Sequence, residues 1–296
     1  MASFQNKISM DLCVRGLVKN QDVAFNGRGD NFDYGIILDG HGSDQFINFM
    51  RSLDWLHIVS QDDPWVMVQS ILMENSYLEG GSTLIIMKAF INRIEIISVG
   101  DSSIIIHKNG ELSYMNEKHT HRNPTEIERL SHLPEYKGTK KMKDYIPQIR
   151  NSQEMQADRS YYNYFGMYSQ IHLAMTQSLG HGNITGYNPE RHIEYFEETD
   201  RINILMGSDG LFDLLLLTKK VKTPPELSTN DLDDIQKDND DILMMNATEI
   251  VEKIEKRWKK EDWVYHWHIN DYSKVMSPIS FNGAYDDISA VTWKKY

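Results

Sequence analysis

The sequence predicts an α+β layered fold, and three observations carry that expectation. Five apolar, β-branched runs read as strands, at 34–38, 94–99, 103–107, 202–206 and 288–293. Helical periodicity marks 44–55, 65–78 after Asp63-Pro64, and 247–261, where Ile250, Ile254 and Trp258 fall on one stripe. Strands and helices mix without the strict alternation of a doubly wound parallel sheet. Between two strand runs, Lys108-Asn109-Gly110 predicts a tight hairpin, because both central turn positions favour positive φ.

Composition narrows the function classes. The chain has 296 residues, 40% hydrophobic and 25% charged, as an ordinary globular protein has. Its 31 Lys and Arg against 43 Asp and Glu give a formal net charge of −12. So acidic a chain is a poor binder of nucleic acid or of an anionic membrane, both of which are gripped by Lys and Arg. A single cysteine, Cys13, excludes an internal disulfide and any multi-thiolate zinc site. The first residues lack the continuous apolar stretch of a secretory leader, and the richest region, 83–107, is broken by Lys88, Asn92, Arg93 and Glu95. The expected setting is the reducing cell interior, the cytoplasm with the nucleus open, and the expected state a monomer.

No repeat or linker divides the chain, so residues 1–296 read as one domain with two inserted segments. Residues 131–171 are polar and weakly periodic. Residues 218–241 carry Pro224-Pro225 and then six aspartates, Asp231 to Asp241, as a solvated loop does. Gly27-Arg28-Gly29-Asp30 reads as a turn, and His266 and His268 lack the further ligands of a metal site.

One pattern recurs: an apolar strand ends and delivers an aspartate beside a glycine. It occurs in Ile36-Ile37-Leu38-Asp39-Gly40-His41-Gly42, in Ser98-Val99-Gly100-Asp101-Ser102 and in Leu205-Met206-Gly207-Ser208-Asp209-Gly210. Asp286-Asp287-Ile288-Ser289 is the mirrored case, with acids just before a strand. One Asp-Gly is usually a turn. Several acids at buried strand ends, without a matching set of bases, call for a compensating cation. Oxygen-only ligands select hard ions such as Mg²⁺ or Mn²⁺.

With further motifs in order, the chain resembles the metal-dependent (type 2C, PPM) Ser/Thr protein phosphatases. These are Lys19-Asn20-Gln21-Asp22, Gly80-Gly81-Ser82-Thr83, His119 through Asn123-Pro124 to Glu126 and Arg129, Leu173-Ala174-Met175-Thr176 to Leu179-Gly180, and Ser208-Asp209-Gly210-Leu211-Phe212-Asp213. The resemblance implies a central β-sandwich flanked by helices on both sides, with the site at one end. It implies that Asp39 bridges two ions, that the Gly40 carbonyl binds one, and that Asp209 and Asp286 hold the other. Asp22 would act through water, and Asp101 and Asp213, with Asp209, would form a third, weaker site. The implied reaction is hydrolysis of phosphoserine and phosphothreonine in a protein substrate by a water held between the two Mg²⁺ or Mn²⁺ ions. His41 would be the general acid, a role its unperturbed pKa suits.

Departures from the family pattern keep a second reading open, a catalytically impaired pseudophosphatase that binds or scaffolds. Leu17 stands where the family usually carries a phosphate-binding Arg, Gln21 where Glu is common, Ser103 where Arg follows Gly-Asp-Ser, and Gln177 and His181 for an Arg and an Asp. If 15–19 is a strand, Arg15 and Lys19 share a face with Leu17 and could partly substitute for that Arg in holding the substrate phosphate. His119 and His121 read as structural.

Overall fold

The computed structural model describes residues 7–120, 123–131, 162–166, 169–173, 175–183, 185–215, 242–259 and 285–296. The loop 218–241, with its aspartates, lies outside them, as do His121, His266, His268 and most of 131–171.

Two antiparallel sheets stack face to face. One is built from β1 (Ile8–Arg15), β14 (Ile288–Lys295), β13 (Ile202–Gly207), β7 (Ser103–Lys108) and β8 (Glu111–Met115), in that order. The other centres on β3 (Asp33–His41), which pairs with β2 (Asp22–Arg28), β4 (Gly81–Ser82) and β5 (Leu84–Ala89). It continues through β6 (Arg93–Val99) to β12 (Glu190–Tyr195), while β11 (Leu179–Gly180) extends it beyond β4. Separately, β9 (Tyr162–Gly166) and β10 (Ser169–Leu173) pair as a two-stranded ribbon, within and just past the segment predicted as an insertion.

Period-2 alternation explains the layers, since neighbouring side chains on a strand point to opposite faces. In β3, Ile37 enters the layer between the sheets, while Ile36 and Leu38 face the helices α1 (Asp44–Arg51), α2 (Trp55–Val59) and α3 (Pro64–Glu74). In β13 and β14, Met206, Val291 and Trp293 point inward. Leu205, Ile288 and Ala290 meet α5 (Asp209–Leu215) and α6 (Ala247–Lys259) on the outside. α4 (Pro124–Ser131) is held through Glu126 and Arg129 to residues 176–185 around β11. The order helix, sheet, sheet, helix is the predicted αββα architecture. No helix among the described residues is long and apolar enough to cross a membrane.

All five expected strands form, and the Asn109-Gly110 hairpin has both central residues at positive φ, 57° and 91°. The helix expected over 44–55 is two helices. Ser52 ends α1, and the Asp54 carboxylate accepts from His57 N at 3.0 Å and starts α2. The helix expected over 65–78 stops at Glu74, where the Asn75 side chain donates to Ile71 O at 2.8 Å.

Candidate functional site

Strand ends gather the acids. In β2 and β3, Asp22 and Asp39 are direct cross-strand partners. Gly207, the end of β13, pairs with Ser103 at the start of β7 and with Ala290 near the start of β14. That register brings Asp209, Asp101 and Asp286 to one end of the sandwich, because each lies just beyond a paired terminus. Two glycines permit the crowding. A Cβ on Gly210 would lie 2.0 Å from Asp287 O and 3.1 Å from Asp286 Cβ, so only glycine lets α5 approach the acids before β14. Gly100, at φ +101°, turns the chain sharply into Asp101.

The acids feel one another strongly. Burial first, then Asp209, Asp22, Asp286 and Asp101, push the Asp39 carboxyl well above the usual carboxylate range. Burial, with Asp209 and Asp286, raises Asp22 to about 8. Burial and Asp209 raise Asp101 to about 7, against the opposing charge of Lys118. Asp286 is raised by burial and by Asp209, opposed by Lys19. Asp22 Oδ2 and Asp101 Oδ1 are buried without a hydrogen-bond partner. Asp213, on α5, lies at the outer edge, with Lys118 Nζ 3.7 Å from its Oδ1.

Among the described residues, no three His, Cys, Asp or Glu side chains stand in an arrangement that could hold a metal ion as they are. The acids form a cluster of charge at electrostatic range, not a closed ligand cage. Its chemistry nevertheless fits a hard dication: every donor is an oxygen, two buried oxygens are orphaned, and ionisation is suppressed for want of positive charge.

The loop after β1 departs from expectation. The strand ends at Arg15, and 16–20 is a bend closed by Asn20 at φ 56°, so Arg15, Leu17 and Lys19 do not share a strand face. Gly16 and Asn20 are the turn signals that forecast this. Asp287 anchors the bend, accepting from Leu17 N at 2.8 Å, Val18 N at 3.2 Å and Gln21 N at 2.7 Å. Arg15 turns to Glu255 on α6, at 3.1 Å. Lys19 stays with the acids, its Nζ 3.3 Å from Asp286 Oδ1. Although burial opposes its charge, Asp286, Asp209 and Asp39 hold the ammonium above its ordinary pKa. The Gln21 amide donates to Gly42 O at 3.0 Å and Asp44 Oδ1 at 2.5 Å, which a Glu carboxylate could not do.

His41 is engaged at both ring nitrogens. Its Nε2 lies 2.8 Å from Ser178 Oγ, and its Nδ1 lies 3.1 Å from Nε2 of His181, whose ring stacks on it with centroids 4.9 Å apart. One directional assignment satisfies every group: His181 N–H to His41, His41 N–H to Ser178, and Ser178 O–H to Leu179 O at 2.8 Å. Both rings are then neutral. Burial, followed by His181 and Lys19, lowers His41 to about 3. Sequence reasoning missed Ser178, Lys118 and the anchoring role of Asp287, because each acts through a partner distant in the chain. His119 is structural as expected: its Nδ1 accepts from Gly100 N at 2.9 Å and its own N–H donates to Gly100 O at 2.9 Å.

A family model described as protein phosphatase 2C matches residues 13–222. The chain belongs to that family. Its fold is similar to the serine-threonine phosphatase 2C of Toxoplasma gondii, with a TM-score of 0.55 and 14% identity, covering 100% of this chain and 96% of that one. It is also similar to a C. elegans sex determining protein, with a TM-score of 0.52 and 15% identity, covering 98% of this chain. The protein phosphatase 2C chain described here spans 64% of that second chain's length. No curated protein matches it in sequence.

Proposed function

We propose that the chain is a metal-dependent protein serine/threonine phosphatase, which hydrolyses phosphoserine and phosphothreonine of a protein substrate. The observation that carries this reading is the convergence of Asp22, Asp39, Asp101, Asp209 and Asp286 on one end of the sandwich, with orphaned buried oxygens. Asp39, the Gly40 carbonyl, Asp209 and Asp286 would hold two ions, with Asp22 behind them; Asp101 and Asp213, with Asp209, would serve a third. When bound, Mg²⁺ or Mn²⁺ supplies an activated water and neutralises charge on the phosphoryl oxygens.

The chain's own residues do the rest. Lys19 offers the phosphate an ammonium at the edge of the cluster, a point charge without an Arg's planar fork. Arg15, held by Glu255, leaves that task to Lys19. His41 protonates the serine oxygen as it leaves, which requires it to exchange its bond to Ser178 for one to substrate and to gain a proton in the field of the phosphate. The three apolar layers adjoin across the two sheets, which supports reading the residues as one phosphatase domain.

A second reading, an impaired phosphatase that binds without useful turnover, is favoured by the engaged His41 ring and by the diversion of Arg15. One experiment separates them. The protein is assayed on p-nitrophenyl phosphate and a phosphoserine peptide with Mn²⁺, then with EDTA, beside Asp39→Ala and Asp209→Ala. Activity lost on chelation and in both variants is expected; no turnover despite measurable Mn²⁺ binding leaves the second reading. His41→Gln should slow the peptide far more than the nitrophenyl ester, whose leaving group needs no proton.

A further inference from the structure

We propose that Lys118 is a tethered cation for the outer part of the carboxylate cluster, so that the chain satisfies Asp101 and Asp213 with its own ammonium and takes up one ion fewer, or one more weakly, than its carboxylates allow. The inference rests on the metal-dependent reading above and concerns how the same site is loaded.

Three observations support it. Lys118 Nζ lies 3.7 Å from Asp213 Oδ1, with its side chain only 26% exposed, so the ammonium is drawn in toward the acids. Asp101 is 8% exposed, and its Oδ1 has no hydrogen-bond partner, so that oxygen is left to nearby positive charge. Lys118 is the base whose field acts on it. The third observation is that the backbone on either side of Lys118 is held in place. On one side of it the Asn116 side chain donates to Ser102 O at 3.1 Å and accepts from Ile104 N at 2.8 Å. On the other side His119 exchanges two hydrogen bonds of 2.9 Å with Gly100. The segment carrying Lys118 is thus stapled, before and after that residue, to the turn that carries Asp101. A mobile surface lysine would retreat when a dication arrived. This one springs from a backbone held beside the acids for which the ion would compete, and like charges at that range repel.

The proposal is tested by counting ions. Free Mn²⁺ is followed by electron paramagnetic resonance during titration of the full chain and of Lys118→Met, Lys118→Gln, Lys118→Arg and Asp39→Asn. The neutral variants should bind one more Mn²⁺, or hold the weakest ion at least about tenfold more tightly. Lys118→Arg, which keeps the charge, should titrate like the parent. Melting gives the second readout: without metal the neutral variants should melt below the parent, and saturating Mn²⁺ should narrow or reverse that gap. Neutral variants with the parent's stoichiometry and affinities overturn the proposal, while loss of ions in Asp39→Asn alone leaves the metal-dependent reading standing. If neither the parent nor any variant binds Mn²⁺, both fall together.

Discussion

Two of the places where the described residues bury charge treat it in opposite ways. Around α4 the Glu126 carboxylate accepts from Arg129 Nε and Nη2, each at 2.9 Å, from the Thr176 hydroxyl at 2.6 Å and from the Gln177 amide at 2.9 Å. Arg129 spends its remaining reach on Thr185 O and Thr176 O, at 2.8 and 2.9 Å. At the carboxylate end, Asp22, Asp39 and Asp101 press on one another, and two of their oxygens have no partner. Burial alone would raise both kinds of acid. Arg129 and Thr176 reverse the sign for Glu126 and hold it below its ordinary value, whereas Asp22 and Asp101 rise. A satisfied network stabilises and fixes geometry; an unsatisfied one stores a demand for a ligand.

The strongest test of the satisfied side is to remove its cation. Arg129→Met leaves the Glu126 carboxylate, 5% exposed, without a counter-charge and orphans two carbonyls. Breaking a buried pair in this way costs about 3–5 kcal/mol. Urea unfolding should show the midpoint fall with the slope unchanged. A loss under 1 kcal/mol would mean that the network is no more than a surface ion pair.

Acidity should pull the two regions apart. Glu126 has a depressed folded pKa, so its contribution is present above the unfolded carboxylate value of about 4.3 and is lost as pH falls through the folded one. Asp22 and Asp101 are raised, to about 8 and about 7. The folded state binds their protons more tightly than the unfolded state, so stability falls as pH rises from about 4 toward those values. Metal-free protein should therefore be most stable near pH 4 and lose several kcal/mol by pH 8. Asp22→Asn should recover part of that loss, and saturating Mn²⁺ should flatten the alkaline limb. A metal-free stability that climbs steadily from pH 5 to 8 would contradict the repulsion at this end.

What the sequence discloses follows the same division. Strand periods, the Asn109-Gly110 turn and the repeated Asp-Gly strand ends are local patterns, and they forecast the layers and the place where acids meet. The partners of those acids are not local. Lys118, Ser178 and Asp287 acquire their roles from antiparallel register, which joins residues up to 270 positions apart. Arg15 shows how such a reading errs: period-2 logic holds only while the strand lasts, and β1 ends at that residue.

Asp286 and Asp287 reduce the comparison to adjacent residues. Asp286 stands in the crowded cluster with Lys19 as its counter-charge. Asp287, 2% exposed, accepts three backbone N–H groups that hold the bend 17–21 against β14. An Asn at 287 keeps one accepting oxygen for Leu17 and Val18 but turns an N–H₂ toward Gln21 N, donor against donor. The loss should be about 1–3 kcal/mol, the cost of leaving a buried donor unsatisfied. Asp286→Asn in metal-free protein should cost less than this or stabilise, because it removes one of several repelling charges. Its effect should appear instead in Mn²⁺ affinity, where Asp287→Asn acts only through the position of Lys19. Equal losses of stability in the two variants would show that the two carboxylates share one environment and that the division between anchor and ligand does not run between them.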